Sequence, residues 1–263
     1  MARQHSKAIL FPILLLTLLV SHPVSAATFD LAWTDDFNGP AGSRPDPRKW
    51  AHDLGYGNKL WGNNEFQTYT NKPENIQLDG AGNLVITARK EADGKYTSAR
   101  VKTLGKFSQR YGRFEARIQV PRGPGLLPAF WGMGEKGSWP DNGEIDIMEN
   151  VGSSPRTVFS NIHGPGYDSG GNRTIATDLS KGFHVYGIEW TPDGIEWFLD
   201  GKSYKKVTPK DLPKGKRWVF DDQPIYMLLN VAVGGDWPGK PVDDVLPQQM
   251  RVDWVKMWRL KGN

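Results

Sequence analysis

The sequence predicts one all-β domain, a sandwich of two stacked sheets, and three observations carry that expectation. From residue 27 onward, short strand-like runs alternate with turn signals, with only weak candidates for a helix of about ten residues or more. The 263 residues include 11 Trp, 8 Tyr and 30 Gly, a mixture of strand-favouring aromatics and turn formers. Two stretches, 224–233 (PIYMLLNVAV) and much of 252–260 (VDWVKMWRL), are apolar on both faces, as strands are when a second sheet covers them.

The elements follow in chain order. Arg3 and Lys7 precede an apolar run over 8–20 that ends in small residues at Val24-Ser25-Ala26, the pattern of a secretory signal. The run is shorter than the ~20 residues a bilayer-crossing helix needs, and Pro12 interrupts it. Residues 1–26 are therefore expected to be a signal peptide, 27–263 the functional domain, and the mature protein secreted, to the periplasm or beyond. Residues 82–89 (GNLVITAR) alternate apolar and polar side chains as a half-buried strand does, and 114–120 repeat the pattern. Residues 183–190 and 195–199 flank Thr191-Pro192-Asp193-Gly194, a loop of hairpin length. No linker or repeat divides 27–263, so a single domain is expected, with inner strands supplying a cleft.

Composition removes several function classes. The leading segment carries two basic residues and no acidic one, so without it the formal charge falls from +4 to +2. No Lys or Arg run is dense enough to track a phosphate backbone, which argues against a nucleic-acid partner. With no cysteine, disulfide, zinc-thiolate and thiol-nucleophile chemistry are excluded, and burial alone must hold the domain. A neutral polymer suits this surface, and a monomer without stable membrane attachment is expected once the leader is gone.

The most informative segment runs Trp139-Pro140-Asp141-Asn142-Gly143-Glu144-Ile145-Asp146-Ile147-Met148-Glu149-Asn150. On a helix Glu144 and Glu149 would sit about 140° apart and could not share a substrate. On a strand Glu144 and Asp146 point one way and Ile145 and Ile147 the other. Regular alternation would then turn Glu149 to the apolar side, a costly place for a carboxylate. A β-bulge at Ile147-Met148 absorbs one residue and returns Glu149 to the acidic face. A carboxyl separation of about 5–5.5 Å would suit a retaining glycosidase, with one group attacking and the other protonating the leaving oxygen. Crowding around Asp146 keeps one proton in place, and Glu149 is where an acid can use it. The alternatives are a solvated acidic face and a carboxylate metal cage.

The segment Glu144-Ile145-Asp146-Ile147-Met148-Glu149 resembles the active-site strand of glycoside hydrolase family 16 in its bulged, laminarinase-like form. Residues 61–70 (WGNNEFQTYT), 111–117 (YGRFEAR), 127–131 (LPAFW) and 234–239 (GGDWPG) resemble that family's other signatures, in order. The resemblance implies a concanavalin-like jelly-roll sandwich with a substrate cleft on the concave sheet. It also implies Glu144 as nucleophile, Asp146 as its helper and Glu149 as acid/base, acting on β-1,3-glucan. It places a histidine, His163, near the acid/base, and a sugar-contacting asparagine at Asn64. No cofactor is required for the chemistry, but a structural calcium is implied on the convex side at Asp253.

Sugar rings stack on aromatic faces, so Trp61, Trp131, Trp139 and Trp237, beside Gly or Pro at expected strand ends, are candidate platforms. Trp33, Trp50, Trp190, Trp197, Trp254 and Trp258 are expected in the core. Two departures bear on subsite preference: Asp236 stands where the family pattern leads us to expect asparagine, and Gly132-Met133-Gly134 is less bulky than usual. The competing enzyme readings are a mixed-linkage β-1,3-1,4-glucanase, an agarase-like galactan hydrolase and a transglycosylase. A non-catalytic, lectin-like glucan-binding module is the alternative of another class.

Overall fold

The computed structural model describes residues 27–57 and 59–262, so the expected signal segment lies outside the described residues. In chain order the strands are β1 (Phe29–Asp35), β2 (Ala51–Asp53), β3 (Gln67–Tyr69), β4 (Ile76–Leu78), β5 (Leu84–Lys90) and β6 (Tyr96–Ser98). There follow β7 (Arg100–Lys102), β8 (Gly112–Gln119), β9 (Leu126–Gly134), β10 (Glu144–Glu149), β11 (Thr157–Gly164) and β12 (Tyr167–Asp168). The last six are β13 (Gly171–Thr174), β14 (His184–Thr191), β15 (Gly194–Leu199), β16 (Lys202–Val207), β17 (Ile225–Val233) and β18 (Gln248–Leu260).

They form two sheets. The back sheet runs β16-β15-β14-β8-β18-β5-β6-β3, with β1 also on β18 and β4 also on β5. The cleft sheet runs β12-β11-β10-β9-β17-β7-β2, with β13 also on β11. The chain crosses between the sheets, from β8 in the back sheet to β9 in the cleft sheet and from β17 back to β18, and so builds the jelly-roll sandwich that the strand pattern and the resemblance led us to expect.

β17 shows how one sequence serves two surfaces. Ile225, Met227, Leu229, Val231 and Val233 point between the sheets into the main core, while Tyr226 and Leu228 join Ala129 and Trp131 in a second cluster on the opposite face. That second cluster forms the floor of the cleft. Burying each large aliphatic side chain contributes about 1.5–3 kcal/mol, which is what holds a cysteine-free sandwich together. Trp50, Trp190 and Trp197 are fully buried in it, whereas Trp33, Trp254 and Trp258 are only half-buried.

β18 departs from the two-sided cover expected of 252–260. Val252, Val255 and Met257 are buried, but the alternate side chains face outward. Lys256 lies 4.8 Å over the Trp254 ring and Arg113 lies 5.8 Å from that of Trp258. Cationic side chains, not a third layer, shelter these indoles, and their long stems do the covering. The expected hairpin is tight: Thr191 pairs with Gly194, leaving Pro192 and Asp193 as the loop.

Candidate active site

β10 alternates until Asp146 and then slips. Against β11, Glu144, Ile145 and Asp146 pair with His163, Ile162 and Asn161, and the register then shifts so that Glu149 pairs with Phe159. Against β9 the shift falls between Asp146 and Met148. Ile147 and Met148 are both fully buried in the core, so the extra residue is absorbed on the apolar side and Glu149 faces the cleft with Glu144 and Asp146. This is the bulge that the cost of a core-facing carboxylate predicted. The turn leading into β10 needs glycine at Gly134, where a Cβ would lie 2.1 Å from the Asn142 carbonyl oxygen.

The cluster is compact. Ligand atoms of Glu144, Asp146 and His163 all lie within 4.8 Å of one another. His163 Nε2 is 3.1 Å from Asp146 Oδ2, and Nδ1 is 2.5 Å from Asp168 Oδ1. Burial alone would lower the imidazole's pKa, but contact with Asp146, the charges of Asp146 and Glu144, and Asp168 raise it to about 10. Protonated His163 thus supplies the positive charge that a metal would bring to a carboxylate cage. The histidine expected beside Glu149 instead pairs with Glu144 and contacts Asp146, at the Glu144 end of the strand.

The two glutamates titrate in a crowd. Burial first, then the Asp146 charge, push Glu144 up to about 8, while His163 and the Trp139 indole pull the other way. Burial, then the charges of Asp146 and Glu144, push Glu149 well above the usual carboxylate range, with only His163 opposing. Both carboxyls are thus held above the usual carboxylate range, and the crowded cluster retains a proton that either glutamate can carry.

One exposed indole stands at each end of β10. Trp139, 58% exposed, lies with its ring 6.1 Å from that of His163. Trp237, 45% exposed, meets edge-on the ring of Phe159, the residue paired with Glu149. Trp131 is different: only 9% exposed, it donates its Nε1–H to Asn230 Oδ1 at 2.8 Å. Arg100 sits between the Trp131 and Trp61 rings, 4.7 Å from each, and pairs with Asp53 at 2.9 Å. That wall of the cleft is a guanidinium sandwiched by two indoles, not a bare aromatic face. Asn64, exposed and in a left-handed conformation, donates its Nδ2–H groups to both carboxylate oxygens of Asp236, at 3.0 and 2.9 Å.

Asp253 lies on the far side of the molecule from this cluster, in β18 of the back sheet. Its Oδ2 accepts a 2.5 Å hydrogen bond from Arg117 Nη1 on the adjacent β8. Among the described residues Asp253 belongs to no group of three or more acidic, histidine or cysteine side chains spaced to hold a metal. The Arg117 guanidinium occupies the carboxylate that the resemblance assigned to a structural calcium.

Sequence reasoning missed Arg100 and Asp168. Both act through neighbours brought by sheet order: Arg100 from three-residue β7 and Asp168 from two-residue β12. Neither sits in a motif, and a strand this short offers no periodicity to read.

Comparison with known proteins agrees with this architecture. The chain is 42% identical to the Beta-glucanase of Rhodothermus marinus, over 89% of this chain and 86% of that protein. It is 34% identical to Glucan endo-1,3-beta-glucosidase A1 of Niallia circulans over 89% of this chain, but spans only 38% of that longer protein. The solved catalytic domain of an endo-1,3-beta-glucanase (laminarinase) from Thermotoga petrophila superposes with a TM-score of 0.83 at 38% identity, over 90% of this chain and all of the other. The pattern of glycosyl hydrolases family 16 extends over residues 62–256, and the chain belongs to that family.

Proposed function

We propose that this chain is an exported endo-β-1,3-glucanase that cleaves laminarin-type glucan with retention of anomeric configuration. The observation that carries the reading is the bulged β10, which sets Glu144, Asp146 and Glu149 on one face, with burial and the Asp146 charge raising the proton affinity of both glutamates. In the first step a Glu144 oxygen bonds to the anomeric carbon as Glu149 gives its proton to the departing glycosidic oxygen. In the second step Glu149 takes a proton from water, whose oxygen displaces Glu144 from the same carbon. The Asp146 carboxylate, in contact with His163, raises the proton affinity of both glutamates. Trp139 and Trp237 offer stacking faces to glucosyl units at the two ends of the strand. Export rests on the apolar run over 8–20 and the small residues at Val24-Ser25-Ala26.

A glucan-binding role without catalysis would not require a firmly protonated glutamate beside a second carboxylate, so the enzymatic reading is favoured. The test is a product profile on laminarin, lichenan, agarose and xyloglucan, with anomer detection by NMR. Laminarin is expected to be cut fastest, into oligosaccharides of β configuration. Faster cleavage of agarose or xyloglucan overturns the linkage, and inverted product overturns the mechanism. In Glu149→Ala, azide should yield a β-glycosyl azide from an activated aryl substrate.

A further inference from the structure

The bulge in β10 has a support in the opposite sheet. Regular alternation would put Met148 in the cleft and Glu149 in the core, so the position of the acid depends on which of two registers the strand adopts. Where the register slips, the Asp146 carbonyl oxygen points into the sandwich and accepts a 2.8 Å hydrogen bond from Trp197 Nε1. Trp197 belongs to β15 of the back sheet and is fully buried. Its ring is seated in turn: Lys205, its partner on β16, holds Nζ 4.3 Å from the ring centroid and donates to the carbonyls of Ser160 and Ser169 on the cleft sheet's side. β16 slips register at this same point, between Trp197 and Phe198. A bulge in the cleft sheet and one in the back sheet are thus joined through a single indole.

We propose that Trp197 is a positioning residue of the reaction: its N–H, given to the Asp146 carbonyl, selects the bulged register that turns Glu149 into the cleft. The inference rests on Glu149 being the acid/base. In the regular strand that carbonyl would be directed by the ladder; in the bulged one it needs a donor from the core, and Trp197 is that donor. Without it the extra residue is free to relax, and Glu149 loses its aim at the leaving oxygen while Glu144, before the bulge, keeps its own.

The test is the dependence of rate on leaving group. Trp197→Phe keeps the ring and removes the donor. On laminarin its kcat should fall at least ~10-fold, because a small misplacement of a proton donor is expensive. On a dinitrophenyl β-glycoside of laminaribiose, whose leaving group needs no proton, kcat/KM, which reports the first displacement alone, should fall less than about 3-fold; on laminarin KM should change little, so that kcat/KM there falls with kcat. Glu149→Ala should show the same selectivity in extreme form, ~100-fold or more on laminarin. A merely structural defect would slow both substrates equally. Equal losses in Trp197→Phe, or none on laminarin, with selectivity intact in Glu149→Ala, overturn the inference alone. No selectivity in either variant overturns the acid assignment and the inference with it. Should Trp197→Phe melt below the assay temperature, Lys205→Met, which unseats the ring but keeps its N–H, must show weaker selectivity in the same direction; a uniform loss, or none, counts against the proposal.

Discussion

His163 is the only cation among the groups named as setting the proton affinities of Glu144 and Glu149, and it opposes the rise of both. Activity requires Glu144 ionised and Glu149 protonated, so kcat/KM should rise with pH as Glu144 loses its proton and fall as Glu149 does. With Glu144 raised to about 8, the acidic limb belongs near neutrality or above it. Replacing His163 with Gln removes a charge that lowers both pKa values, so both limbs should move toward higher pH. At the acidic end kcat/KM should drop at least ~5-fold, while at the alkaline end it changes little or rises. A pH–rate profile of His163→Gln checks this, and an acidic limb that stays in place would detach His163 from Glu144. Asp168, exposed at the surface yet bonded to the imidazole, is the outermost link of the same chain.

At the scale of the element, β10 carries the site because one residue too many is packed on its apolar side. Deleting Met148 removes the surplus and restores strict alternation, so Glu149 still faces the cleft, one position nearer Glu144. Inserting Ala between Met148 and Glu149 sends the glutamate into the core. The deletion should leave a folded protein with reduced but measurable laminarin hydrolysis, whereas the insertion should abolish activity and lower Tm by roughly 5 °C or more. Activity assays with thermal melts decide it, and an active insertion variant would mean that the register is not what aims the acid. This bulge was legible in the sequence because Glu149 had no tolerable place without it. The strands at 82–89, 114–120 and 224–233 were legible for a similar reason, since alternation reports directly on which face is buried. Trp197 beneath Asp146, Arg100 between Trp61 and Trp131, and Arg117 on Asp253 were not, because each contact depends on which strands become neighbours across 31 to 136 residues of chain, or across the sandwich. The outer face of β18 misled for a different reason: its tryptophans are covered by lysine and arginine stems, which pattern reading counts as polar.

For the molecule as a whole, the back sheet carries a partly exposed Arg117–Asp253 ion pair where the resemblance implied calcium. Wild-type protein in metal-free buffer should therefore melt within ~1 °C with or without a chelator, because a ligand stabilises only by binding the native state. A chelator-induced drop of ~3 °C or more would mean that a cation displaces Arg117 from Asp253. The cleft is fastened differently from its floor. Trp131, Leu228 and Tyr226 belong to packed clusters, but the rim is closed by the Asn64–Asp236 bond between two exposed residues 172 positions apart. Such a clasp opens at a small fraction of the cost of unfolding the strands beneath it. If glucan lies in the cleft as proposed, a rim fastened by one exposed side-chain bond would let a cut strand leave sideways instead of being drawn out lengthwise.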